Sequence, residues 1–409
     1  SLIKPFPGLR PPQKLAQRVS APPYDVVDTE EVRELISENP YSFLRVTRPE
    51  ADMDAPKDVY ADAVYQKGAD TLAGFKRDGV LVRDKTDCFY IYQLTMDGQT
   101  QTGVVAGVSA AEYAQGRIRR HERTRPEKVA DRTKNTLTLG INAGPVFLTF
   151  RNTTDYAASI RRLTAGDPVY DFTAENEVRN RFWVVDDPKD ISELRDVFAQ
   201  VPSLYIADGH HRAETGYNVY RQKKEETGGG TGREPYHFFL AVIFPHDQLR
   251  ILEYNRVVKD LNGLSPERFL EKLSTVFDIT PSGAEKPAQK HVFKMYFSEK
   301  WYRLVLKPGQ IDETDPVGSL DASVLQEKVL DPILGIADPR TDHRIDFVGG
   351  IRGMGALEQR CGKGAALAFA LYPMSIQELL RIADAEMLVP PKSTWFEPKL
   401  RSGLVVREI

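Results

Sequence analysis

An α+β fold, with mixed sheets and helices, is the class this sequence predicts, and three observations carry the prediction. Strand-like apolar runs at residues 145–150, 182–185, 204–207, 238–244 and 292–297 are bounded by turn residues. Helical stretches fall between them at irregular intervals, without the regular strand–helix–strand rhythm of a doubly wound sheet. With 409 residues, 41% of them hydrophobic and 28% charged, the chain can bury more than one core.

The elements follow in chain order. "PFPGLRPP", "APPYDVV" and "NPYSFLRV" read as extended, proline-punctuated loops, interrupted by one short helix over residues 29–38. Residues 58–77 have helical periodicity, with Gly79 placed as a C-terminal cap. "CFYIYQLTMDGQTQTGVVAGVSA" is a β-hairpin turning at Asp97-Gly98. "KKEETGGGTGREP" is a glycine-rich surface loop. A boundary near residues 261–266 divides the chain into a core over 1–260 and a smaller α/β domain over 261–409, whose C-terminal loop is expected to return towards the site.

Composition excludes several classes. No apolar run reaches the roughly 18 residues that span a bilayer, and the proline-rich start lacks a signal peptide's apolar helix, so a cytoplasmic protein without membrane contact is expected. Cys88 and Cys361 match no disulfide framework or thiolate zinc spacing. A net charge of −3 disfavours a nucleic-acid surface.

The densest chemistry lies in "SLYIADGHHRAETGYNVY", residues 203–220. A strand feeds a helix here, with Asp208 as the expected N-cap and Gly209 giving close backbone approach. His210 and His211 then fall in the first turn, where unpaired N–H groups and the helix dipole attract anions. Two histidines and Arg212 disfavour a helix N-terminus unless an anion compensates, and a phosphate would do so. The dipole should also keep at least one imidazole neutral near pH 7. An ordinary capped helix with surface histidines, or a metal site, are the alternatives.

The run "GRIRRHERTRPEKVADRTKN" is the densest cationic stretch. Thr124 and Glu127 have capping-box spacing for a helix to about Leu139. In an extended approach Arg119, His121 and Arg123 would face one side, and Arg120 and Glu122 the other. Lys128 and Arg132 extend the basic set, and a solvated basic loop is the plain alternative. In "VPPKSTWFEPKLRSG", Lys392 and Trp395 suit phosphate contact and base stacking, or Trp395 plugs the core. Gly349-Gly350 lacks the lysine pattern of a phosphate loop.

"PFPGLRP", "APPYDVV", "NPYSFLRV", "HERTRPEKVADR", "ADGHHRAE", "PILGI" and "PPKSTWFEPK" together resemble the bacterial and archaeal family catalogued as domain of unknown function 1015, over nearly the whole chain. That family in turn resembles the ParB/sulfiredoxin superfamily through the "DGHHR" corner. The superfamily includes DNA-partition nucleotide switches, a sulfinic acid reductase, and kinases acting on free serine. The resemblance implies a ParB/sulfiredoxin-like core around this corner, phosphate contacts for Gly209, His210, His211 and Arg212, and a catalytic or capping role for Asp208. The cysteine that sulfiredoxin chemistry needs in this turn is absent.

The resulting expectation is a nucleotide-dependent phosphotransferase, using ATP or ADP with Mg²⁺, that acts on a small hydroxyl metabolite such as serine. Asp208 or Glu122 would take the hydroxyl proton or hold the magnesium, and His210 and His211 would stabilise the moving phosphoryl group. The other expectations are a ParB-type nucleotide-binding regulator without rapid catalysis, and a metal-dependent hydrolase using His121, His210, His211 or His343. A homodimer is compatible with either.

Overall fold

The structure is a computed structural model that describes residues 2–54 and 58–409. The chain folds into two compact units. The first comprises the chain to Arg119, Thr124–Leu249 and Pro398–Ile409; the second comprises Arg120–Arg123 and Arg250–Glu397. Both are mixed α and β, the α+β class that the sequence predicts.

Unit one is organised by a nine-stranded sheet. In chain order its elements are β1 (Ile3–Lys4), α1 (Thr29–Ser37), α2 (Asp62–Arg77), β2 (Phe89–Met96), β3 (Gln99–Ser109), β4 (Ile118–Arg119), α3 (Pro126–Leu139) and β5 (Val146–Phe150). They continue with α4 (Thr154–Leu163), β6 (Tyr170–Thr173), β7 (Arg179–Val185), α5 (Pro188–Ala199), β8 (Leu204–Asp208), α6 (His210–Glu226) and β9 (Phe238–Pro245). The strand order is β4-β8-β5-β9-β3-β2-β7-β6, with β1 on β3. β9 runs parallel to β5 and β8 parallel to β4, while the other pairs are antiparallel.

Local chemistry explains the boundaries. Asp97 (φ 51°) and Gly98 (φ 76°) both take the left-handed conformation that a two-residue hairpin requires, so β2 and β3 pair from Met96↔Gln99 onward. Alternation along β2 sends Phe89 and Ile91 into one core, with Leu148, Phe198 and Ile243. α1 begins with a capping box in which the Asp28 carboxylate accepts from the N–H of Glu31 while Glu31 accepts from the N–H of Asp28. α2 begins at Asp62, four residues later than the periodicity suggested, and Gly79 (φ 70°) follows its end. α3 does not use the Thr124–Glu127 box. Its N-cap is Arg125 without a side-chain cap, because Pro126 at the first helical position supplies the preset φ that starts the helix. Gly140 (φ 68°) closes it.

Unit two carries β10 (Tyr254–Val258), α7 (Pro266–Ser274), β11 (Phe277–Ser282), β12 (Val292–Phe297), β13 (Lys300–Leu306), β14 (Ile345–Gly349), α8 (Gly355–Gly362), β15 (Leu367–Ala370) and α9 (Ile376–Asp384). Its six strands form an antiparallel sheet ordered β11-β13-β12-β15-β10-β14. Apolar clusters cover both faces, one around Phe269, Phe293 and Leu325 and the other around Trp301, Leu357 and Ala368. No helix among the described residues is long and apolar enough to cross a membrane.

Candidate functional site

The corner between β8 and α6 lies at the edge of the nine-stranded sheet, where β8 pairs with β5 on one side and with the two-residue β4 on the other. The β8–β5 register shifts between Ile206 and Asp208, a bulge that lets the strand end on Asp208. Asp208 is therefore the last strand residue and not the expected N-cap. That place belongs to Gly209, at φ 90° and ψ 35°, a backbone state which a side chain would strain. A Cβ at Gly209 would also stand 3.1 Å from the Arg212 Nε, so glycine lets the guanidinium fold back over the turn. The N-cap of α6 is a glycine and so brings no side-chain oxygen of its own to the first turn. The first turn of α6 carries the positive end of the helix dipole.

Four cationic or imidazole side chains converge on this turn. Asp208 Oδ1 accepts from the Gly209 N–H at 2.8 Å, and its Oδ2 accepts from Lys399 Nζ at 3.0 Å. Burial disfavours the charged carboxylate, but the charges of Lys399 and Arg212 outweigh it and hold Asp208 well below the usual carboxylate range. Arg212 donates from Nη1 to the Pro145 carbonyl and has Asp25 and Asp208 oxygens at 3.8 and 3.9 Å from Nη2. Its buried Nε has no hydrogen-bond partner among the described residues. Burial opposes the Arg212 charge, yet Asp25 and Asp208 push its pKa up. The anion that the sequence called for is in part supplied by these two carboxylates.

The histidines differ. His210 is buried at 6% exposure, while His211 is half-buried and its Nε2 accepts the Arg125 N–H at 3.0 Å. That bond places the His211 proton on Nδ1, making Nδ1 the donor side of the ring. It also ties the start of α3 to the start of α6. Beside Arg212 a cavity of about 50 Å³ is lined by Tyr24, Arg132, Asn135, Gly144 and Thr215 among others. Arg132 stacks on Tyr24 at 4.6 Å and pairs with Asp131 at 2.6 Å. Burial and the neighbouring Asp25 push the Tyr24 phenol up to about 12, so it stays protonated at neutral pH.

The predicted residues separate by unit. Asp208, Gly209, His210, His211, Arg212, Arg119, Lys128 and Arg132 belong to unit one. Of these, Arg132 lines the same cavity as Arg212, Lys128 is exposed on α3, and Arg119 sits on β4 with its Nε 3.3 Å from Ser203 Oγ. Arg120, His121, Glu122, Arg123, Lys392 and Trp395 belong to unit two. The extended alternation expected beyond Arg119 does not continue as a strand, since β4 ends there. His121 is fully buried, its carbonyl accepts the Val389 N–H at 2.9 Å, and Thr394 Oγ1 is 3.5 Å from its Nε2. Lys392 (φ 57°) lies over the Tyr254 ring, and Trp395 packs edge-on against the same ring while donating to Glu397 at 2.7 Å. His343 is exposed, and no group of three or more metal-ligating side chains forms among the described residues.

Tyr24, Asp25 and Lys399 join the corner without having been assigned to it. Each lies in a motif that the sequence made conspicuous, "APPYDVV" and "WFEPK", but nothing local to either motif shows its partner.

Comparison with known proteins gives low likeness to solved structures. A conserved hypothetical protein from Pyrococcus furiosus is 12% identical, with a TM-score of 0.36, over 74% of this chain and 95% of its own. A free serine kinase in complex with AMP is 12% identical, with a TM-score of 0.35, over 73% and 92%. SbnI with a C-terminal truncation, from Staphylococcus aureus, is 12% identical, with a TM-score of 0.39, over 74% and 87%. No curated protein matches the chain. A family profile covers residues 3–323, which include Tyr24, Asp25, Arg132 and the Asp208–Arg212 corner but not Lys399. By that match the chain belongs to the family described as Protein of unknown function (DUF1015).

Proposed function

We propose that the chain is a nucleotide-dependent phosphotransferase that delivers a phosphoryl group to a small hydroxyl metabolite, with the nucleotide's phosphates held at the start of α6. The observation that carries this reading is the convergence of Arg212, Lys399, His210 and His211 on the N-terminus of α6, where the N-cap is a glycine and the helix dipole is positive. Phosphoryl transfer requires alignment and charge neutralisation more than covalent chemistry, and such a cluster supplies both.

The roles follow from protonation. Backbone N–H groups of the first turn and the Arg212 guanidinium would bind non-transferred phosphate oxygens. The His211 Nδ1–H would donate to the transferring group, since Nε2 is held by Arg125. Lys399 would exchange part of its bond with Asp208 for a phosphate oxygen. Asp208, ionised far below neutral pH, is a weak proton acceptor and suits an oxygen ligand better. Magnesium needs only one or two protein carboxylates when phosphates complete its shell, and Asp208 and Asp25 flank Arg212 as hard oxygen donors. The ion would neutralise charge on the phosphates during transfer.

The test is a panel of ATP and ADP against pooled hydroxyl amino acids and sugars, with mass spectrometry reading phosphate on the acceptor. Wild-type protein should yield one phosphorylated acceptor, and His211→Ala should lower its formation by about 100-fold or more. Nucleotide binding without any phosphorylated acceptor would replace this reading with a binding regulator.

A further inference from the structure

A groove of about 690 Å³ runs between α3 and α6, lined on the α6 side by Glu214, Asn218 and Gln222. These residues stand three, seven and eleven positions after His211, so they continue the His211 face along one side of the helix. Thr124 lines the near end, next to Arg125, whose N–H holds the His211 ring at 3.0 Å. Glu214, the first α6 residue of the lining, stands three positions beyond His211, so the groove begins about one turn from the place to which the phosphate site is assigned. From Glu214 to Gln222 its α6 side extends about 12 Å along the helix.

Its two walls differ in chemistry. The α3 wall offers apolar surface from Val129, Ala130 and Leu137, interrupted by Thr133, Thr138 and the exposed Lys134, whose ammonium pairs with Asp62 at 2.5 Å. The α6 wall offers two carboxamides and a carboxylate, and the Glu214 carboxylate is oriented by the Tyr113 hydroxyl at 2.5 Å. Its volume falls in the range of small-molecule sites, which are typically apolar with a few placed polar groups. A flat heterocycle with a hydrogen-bonding edge suits the Val129, Ala130 and Leu137 side chains facing two carboxamides, each of which presents donors and an acceptor together.

We propose that this groove takes the nucleoside half of the nucleotide, with Asn218 and Gln222 reading the base edge and Glu214 accepting from a sugar hydroxyl. The inference rests on the phosphate site proposed above and adds that the base is selected, by residues one to three turns further along α6.

Calorimetric titration of the full chain with ADP and, separately, with tripolyphosphate distinguishes the two claims. Asn218→Ala and Gln222→Ala should each weaken ADP about tenfold while leaving tripolyphosphate within about twofold of wild type, the loss expected for one hydrogen-bonded group. Ala130→Trp, which fills the groove from an exposed helix position, should abolish the advantage of ADP over tripolyphosphate. Unchanged ADP affinity in all three variants, or equal weakening of both probes, would overturn the groove assignment and leave the phosphate site standing. Failure of wild-type protein to bind either probe would overturn both.

Discussion

Asp208 and Lys399 lie 191 residues apart and meet at 3.0 Å. The pair shows how electrostatics at the corner is settled by neighbours and not by burial alone. Removal from water raises a carboxyl pKa, but here the Lys399 and Arg212 charges more than offset it. Because the folded pKa lies below the unfolded one, near 3.9, the ionised carboxylate adds stability above about pH 4. That stability is lost as pH falls towards the folded value. Lys399→Met should therefore shift the acid-unfolding midpoint to higher pH, followed by circular dichroism between pH 2 and pH 5, and leave the neutral-pH spectrum unchanged. An unmoved midpoint would show that the Lys399 charge does not hold Asp208 ionised. The residue scale is also where the sequence was least sufficient. Tyr24, Asp25 and Lys399 meet the corner through long-range packing, and no spacing within "APPYDVV" or "WFEPK" reveals that contact.

At the scale of elements, α6 does the positioning, and two glycines set where it lies. Gly209 supplies the left-handed turn that starts the helix, and Gly216 lets it approach β9, since a Cβ there would come within 2.6 Å of the Phe239 Cβ. Gly216→Leu is expected to destabilise unit one by about 1–3 kcal/mol through overpacking, read as a lower thermal midpoint. It should weaken ADP binding as well, because displacing α6 moves His211 and Arg212 together; loss of stability with unchanged binding would separate the helix from the site. Elements were largely legible where local chemistry decides them. Asp97-Gly98 marked its hairpin, and the switch from the apolar run at 204–207 to helical spacing marked the corner. Capping was read less well. A bulge kept Asp208 in the ladder and Pro126 displaced the Thr124 box, both of which depend on the exact phase between strand or proline and helix.

Over the whole molecule, the last segment, Pro398–Ile409, belongs to unit one and not to the unit that precedes it in the chain. It delivers Lys399 to Asp208, and its buried Arg401 and Arg407 secure it through Ser20, Glu175 and the Pro235 and Phe238 carbonyls. The α+β class was readable from the irregular alternation of strands and helices. A C-terminal return towards the site was expected as well, but the partner it brings was not readable, because an ion pair spanning 191 residues leaves no periodic trace. The central claim is that the start of α6 holds the nucleotide's phosphates, and titration calorimetry of ATP into wild-type protein and into Arg212→Gln tests it most directly. The account predicts measurable binding to wild type and at least a tenfold weaker complex in the variant, with both proteins equally folded by circular dichroism. Equal affinity in the two proteins would contradict it.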